Sequence, residues 1–270
     1  MQTAALVDRI GAVTWMCAPR FDSPALFAAL LGTDTNGSWH LAPAGAAPRP
    51  ADRRRYRGDS LVLEQEWDTP DGTVRVTDFM PVGVRDGAPA APRIVRIVEA
   101  VTGTVTVRSV VRPRFGYGRT VPAVHRPSAT DSTAVAVAGP DAVWLEGLDH
   151  DTGPDGVLTA EASVTAGRRL ALVLTHRESH RGAPPRVDPD RELQRTVRFW
   201  LDWVGQCTYQ GPYREAVVRS LITLKGLTYA PTGGIVAAPT TSLPEDIGGE
   251  RNWDYRYTWL RDAAITLSSL

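Results

Sequence analysis

The sequence predicts a mainly β N-terminal antiparallel sandwich, followed by a linker helix and the first helices of an all-α domain. Three observations predict it. Residues 1–180 hold many short alternating or β-branched runs separated by Gly, Pro and Asp. The loop Arg181-Gly182-Ala183-Pro184-Pro185 then marks a change of character. Beyond it, apolar residues recur at helical spacing. The expected boundaries are 1–180 for the sandwich, 181–208 for the linker helix and 209–270 for the start of the α domain.

A short helix is expected over 25–31, with Ser23 as its cap and Pro24 in its first turn. Strands at 61–67 and 73–79 flank Asp71-Gly72, a hairpin signal because Gly accepts positive φ. The runs 94–100 and 105–111 repeat that pattern about Thr102-Gly103. Further strands are expected at 134–138, 142–146, 161–165 and 170–175. Leu193, Val197, Trp200, Leu201 and Val204 then define a helix over 190–205, with Asp190 as its cap. A second helix starts near Pro212, carries Ala216, Val217, Ser220, Leu221, Leu224 and Leu227, and ends at Pro231-Thr232-Gly233-Gly234. Residues 235–238 form a short extended piece, and a third helix opens near Tyr257 and runs to the end.

A chain of 270 residues can bury a sizeable core. Formal net charge is zero, so there is no electrostatic case for nucleic acid or an anionic membrane. No run of ~18 apolar residues suggests a membrane span. No basic start followed by an apolar core is present, so no signal peptide is read. Cys17 and Cys207 are far apart in apolar surroundings and read as two buried thiols of a reduced, cytoplasmic protein.

The chemistry-bearing stretch is Tyr255-Arg256-Tyr257-Thr258-Trp259-Leu260-Arg261-Asp262. A sugar offers hydroxyl pairs on its rim and apolar C–H faces above and below. A guanidinium beside a carboxylate donates and accepts in a matching fork, as Arg261-Asp262 could. Flat rings cover the C–H faces, as Tyr255, Tyr257 and Trp259 could. The same residues fit an aromatic helix start that packs a domain interface, with Arg261 and Asp262 as a surface pair. From the residues alone both readings stand.

Other candidates are weaker. Glu245, Asp246, Glu250 and Asp254 fall in a loop, and nothing places two of them across a sugar. His176 and His180 follow a strand, so the helical metal-site geometry is absent and solvated histidines are expected. Asp149, Asp151 and Asp155 lack the Gly and final Glu of a calcium loop. Gly116-x-Gly118 lacks a third Gly and a following helix. No metal site and no cofactor is expected.

The terminal stretch resembles the substrate-binding signature of glycoside hydrolase family 15, the glucoamylases and related trehalases. The likeness extends along nearly the whole chain. Ala4-Ala5-Leu6-Val7-Asp8-Arg9-Ile10-Gly11, with Trp15, Cys17 and Pro19-Arg20-Phe21-Asp22-Ser23-Pro24, resembles the trehalase-like N-terminal domain of bacterial members, as does Val76-Thr77-Asp78-Phe79-Met80-Pro81. Residues 213–225, and Ala230-Pro231-Thr232-Gly233-Gly234-Ile235-Val236-Ala237-Ala238-Pro239-Thr240-Thr241-Ser242-Leu243-Pro244-Glu245, resemble the first helix of the catalytic domain and the turn after it. Departures fall at the edge of the β-domain. The family start extends further upstream, Ile10 and Ala12 stand in the first turn in place of polar or small residues, and Arg114-Phe115-Gly116-Tyr117-Gly118 has Gly where an Asp is common.

The resemblance implies a truncated (α/α)6 barrel after the sandwich. It implies that Arg261 and Asp262 hold the 4- and 6-hydroxyls of the non-reducing glucose. Tyr255 would lie near the ring where charge develops, and Trp259 would help to wall the pocket. It implies an inverting hydrolase whose acid and base are glutamates on later helices, beyond Leu270, so the chain alone should lack turnover. The expected partner is trehalose or a maltodextrin, with no nucleic acid and no membrane; a homo-oligomer is left open. The alternative from another class is a non-catalytic β-sandwich module for carbohydrate binding or domain packing.

Overall fold

The computed structural model describes every residue except 46, 83, 86, 87, 90, 129, 243 and 270; Leu243 of the quoted motif therefore lies outside the described residues. For 84, 85, 88, 89 and 269 the backbone alone is described. In chain order the strands are β1 (Ala5–Val7), β2 (Ala12–Cys17), β3 (Ala25–Phe27), β4 (Ser38–Pro43), β5 (Arg53–Tyr56), β6 (Leu63–Thr69) and β7 (Gly72–Phe79). A small hairpin of β8 (Val84–Arg85) and β9 (Ala88–Pro89) follows. Next come β10 (Arg93–Ala100), β11 (Thr104–Arg112), β12 (Ala123–His125), β13 (Thr133–Ala138), β14 (Asp141–Glu146), β15 (Asp151–Thr152), β16 (Leu158–Thr165) and β17 (Arg169–Glu178). Three α-helices end the chain: α1 (Pro189–Val204), α2 (Arg214–Gly226) and α3 (Leu260–Ser269).

Apart from the β8–β9 hairpin, the described strands form two antiparallel sheets. One runs β1-β2-β4-β11-β16-β15 with β3 on β2; the other has eight strands in the order β12-β13-β14-β17-β10-β7-β6-β5. Alternation builds the core between them. Val105, Val107 and Val111 of β11 point inward, while Thr104 and Arg108 face solvent. They meet Trp67, Val74, Val76, Ile94, Val98, Leu172 and Leu174 of the other sheet. Each such side chain contributes about 1.5–3 kcal/mol on burial.

β10 is buried on both faces because α1 covers its outer side. Leu193 packs with Val62, Phe79, Val95, Ile97 and Val173 there. Further along, Trp200 and Val204 of α1 pack against Val218 and Ile222 of α2. The α1 cap is Asp188 and not Asp190. Pro189 has no N–H and suits the first helical position, so the cap falls one residue before it. The Asp188 carboxylate accepts from the N–H groups of Asp190 and Arg191 at 3.0 and 3.2 Å.

Four expectations are corrected. Residues 25–31 do not form an α-helix: β3 pairs with β2, and only a 3-10 turn, Ala29–Leu31, follows. Sheet pairing that buries Ala25, Leu26 and Phe27 overrides the local helix signal. The runs about Thr102-Gly103 are not a hairpin, because β10 and β11 lie in different sheets. Both edges of β10 are already taken by β7 and β17, so the chain must cross. Gly103 makes that crossing at φ 67, where an added Cβ would meet the Asp71 carbonyl at 1.9 Å. His176 is buried, with its Nε2 2.9 Å from the Asp141 carboxylate, whereas His180 is exposed. Cys17 is a buried free thiol, but the free Cys207 is half-exposed.

One buried ion pair fastens the sheets to each other. Arg96 of β10 is wholly buried and forks onto Asp78 of β7 at 2.8 and 3.0 Å. It also donates to the carbonyls of Trp39, in β4 of the opposite sheet, and Gly11, in the turn between β1 and β2, both at 2.8 Å. Four of the five guanidinium N–H groups are thus used, which helps to make a buried charge tolerable. Among the described residues, no helix is long and apolar enough to cross a membrane.

Candidate functional site

After α2 the chain turns back through a bridge between Thr228 and Ile235. Residues 237–242 then run antiparallel to 253–257. Ala237 N–H donates to Tyr257 O at 3.1 Å, Ala238 N–H to Tyr255 O at 2.8 Å, and Ser242 N–H to Trp253 O at 2.8 Å. This ribbon lies against the β-domain, where the Trp15 indole N–H donates to Pro239 O at 2.7 Å.

The aromatic residues divide into two groups. Tyr255 and Trp259 meet edge-on with centroids 5.2 Å apart, and Trp253 meets Trp259 at 6.2 Å. Such tilted pairs are a favoured aromatic geometry. The Trp259 indole N–H donates to Asp254 O at 2.9 Å, which fixes the ring over the turn. Tyr257, 52% exposed, shows no ring contact among the described residues and stands outside this stack.

The third helix starts at Leu260, three residues later than expected. Asp254 accounts for the delay. Its carboxylate accepts from the Arg256 N–H at 3.0 Å, which holds a turn that a helix would have to break. Arg261 and Asp262 therefore sit in the first turn of α3. The Arg261 guanidinium donates to Asp262 at 3.1 Å; its side chain is 71% exposed and that of Asp262 34%. The helix N-terminus favours the carboxylate there. Side by side, the pair offers donors and acceptors outward.

Arg256 is the residue that sequence reasoning missed. It is buried and carries four kinds of contact. Its guanidinium forks onto Asp254 at 2.9 and 2.7 Å. It donates to Ser23 O at 2.8 Å and lies 3.3 Å from Cys17 Sγ. It also stands 5.5 Å from the centre of the Tyr117 ring. The hydrogen bond from Arg256 holds the Asp254 carboxyl below the usual range, and Asp254 raises Arg256 in turn. Burial pushes the Cys17 thiol up despite the nearby charge. The only sequence signal was the Asp-x-Arg spacing inside the aromatic run.

The weaker carboxylates are occupied or apart. Asp254 belongs to Arg256, while Glu245 accepts from the Trp253 indole at 3.0 Å. Asp246 and Glu250 are exposed. Among the described residues, no group of three or more His, Cys, Asp or Glu could hold a metal ion.

Two families match successive parts of the chain. The family described as trehalase-like, N-terminal, matches residues 1–200, and that of glycosyl hydrolases family 15 matches residues 211–270. A protein of Mycolicibacterium smegmatis named trehalase is 33% identical over 297 residues, covering 100% of this chain and 43% of its own. The trehalase of Mycobacterium tuberculosis is 32% identical over 296 residues, covering 100% and 42%. That of Thermoplasma acidophilum is 31% identical over 270 residues, covering 98% and 45%. The chain thus spans less than half the length of these relatives.

Proposed function

The chain belongs to the family of trehalase-like N-terminal domains, and from that premise we propose that it is the N-terminal portion of an inverting α-glucoside hydrolase. Its substrate class is trehalose or a related α-glucoside with a free non-reducing glucose. The observation that carries the reading is the Tyr255–Trp259 ring stack placed directly before the outward Arg261–Asp262 pair. Rings cover the C–H face of the sugar, with Tyr257 at the margin, and the charged pair grips its hydroxyls.

The proposed domains are 1–180, 181–208 and 209–270, with α2 and α3 as the first helices of an (α/α)6 barrel. In support, Leu260 and Leu267, seven residues apart on one face of α3, are exposed, as they would be where a further helix layer packs. The acid and base, roughly 6.5–9.5 Å apart in an inverting enzyme, come from outside residues 1–270. The free thiols of Cys17 and Cys207 suit a reducing, cytoplasmic setting.

Calorimetric titration of the 270-residue chain with trehalose tests this. Weak binding is expected, reduced about tenfold or more in Trp259→Ala and in Asp262→Asn, because each leaves part of the bound sugar uncovered or less well paired. No glucose should be released. Binding unchanged in both variants, or turnover by this chain alone, would refute the reading.

A further inference from the structure

We infer that Arg256 is a positioning residue through which the β-domain sets the shape of the glucose-binding turn. The inference rests on the proposed function, since it names what holds the proposed wall in place. Tyr255 and Trp259 lie in and just after a turn that Arg256 braces through Asp254. That anchor reaches out of its own segment. Ser23 and Cys17, its partners in the β-domain, are 233 and 239 residues away in sequence.

The receiving site is built from the β-domain's own small core. Trp15, Cys17, Ala25 and Ala28 are buried together, with Leu6 and Tyr117 against them. Tyr117 sits at φ 63, between Gly116 and Gly118, which carries its ring to 6.3 Å from Trp15 and beneath the guanidinium. A second tether, Trp15 to Pro239 O, fixes the other strand of the ribbon. A guanidinium suits this task because its fork can hold Asp254 while a remaining N–H donates to a carbonyl across the boundary. Asp254 in turn holds both ends of the stack's support. Its carbonyl accepts from Trp259 and its carboxylate from the Arg256 backbone. Releasing Arg256 should therefore free both rings without touching a sugar contact.

The test compares wild type with Arg256→Met, which keeps the apolar stem, and Arg256→Lys, which keeps the charge but not the fork. Amide exchange across 253–259 and alkylation of Cys17 report whether the turn is docked. The half-exposed Cys207 serves as the labelling reference. Trehalose titration reports the wall, and a thermal melt reports the sandwich. In Arg256→Met, exchange and Cys17 labelling should rise while the sandwich still melts cooperatively. If the competent turn is then populated about one-tenth of the time, trehalose affinity falls about tenfold; Arg256→Lys should fall between. A docked, protected turn in Arg256→Met would overturn the inference. So would a released turn with wild-type affinity. If wild type itself binds no trehalose, the proposed function fails and the positioning role falls with it, while exchange and labelling still show whether Arg256 anchors the turn.

Discussion

At the scale of single residues, Arg96 does most to define the sandwich. Asp78 was legible only as part of the stretch Val76-Thr77-Asp78-Phe79-Met80-Pro81. Its partner lies 18 residues on, in β10, beyond the β8–β9 hairpin, and no local pattern connects them. The pair also reaches the opposite sheet, through the Trp39 and Gly11 carbonyls. Removing one partner leaves the other charged and buried, so Arg96→Met should cost about 3–5 kcal/mol in urea unfolding. The double variant Arg96→Met/Asp78→Leu should recover much of that loss, because it removes the orphaned charge as well. Arg256 was hidden for the same reason. Its motif could be read, but its β-domain partners lie more than two hundred residues upstream.

At the scale of elements, one row of charges crosses the outer face of the eight-stranded sheet. Arg53 of β5, Glu66 of β6, Arg75 of β7, Glu99 of β10 and Arg169 of β17 stand opposite one another in register. Arg169 then reaches Asp190 of α1 at 2.8 Å. Glu66 is the most buried link, donated to by Arg53 and Arg75 at 2.7 Å each. Burial works against its charge, yet the bonds from Arg53, Arg75 and Arg55 bring it down from 4.5 to about 2. A depressed folded value means that the unfolded chain binds the proton more readily. The contribution is whole above 4.5 and is lost as pH falls toward about 2. Urea midpoints should therefore drop across that window, and Glu66→Gln should flatten the drop. An unchanged slope in the variant would remove Glu66 from the account.

Strand positions were legible at this scale because alternation reports one buried face. Strand pairing was less so. The hairpins β6–β7 and β13–β14 follow their turns, but the connections β10–β11 and β16–β17 cross between sheets. Two short β-like runs about a Gly look the same in either case. Which edge is free is decided by strands elsewhere in the chain.

At the scale of the whole molecule, the β-domain and the terminal ribbon form a connected unit. α1 seals the outer face of the eight-stranded sheet and then meets α2, while Trp15 and Arg256 hold the ribbon against the other sheet. The outer face of the eight-stranded sheet carries the ion-pair row, and α1 covers the apolar part beside it. That is a poor platform for a sugar, and it argues against the sandwich as the binding surface. The central claim is that sugar recognition belongs to the terminal wall. The indole N–H signals of the tryptophans, followed by nuclear magnetic resonance during a trehalose titration, test it most directly. The Trp259 signal should shift in a saturable way while the signals of the buried Trp39 and Trp67 stay fixed. Shifts confined to sandwich tryptophans, with Trp259 unmoved, would contradict it.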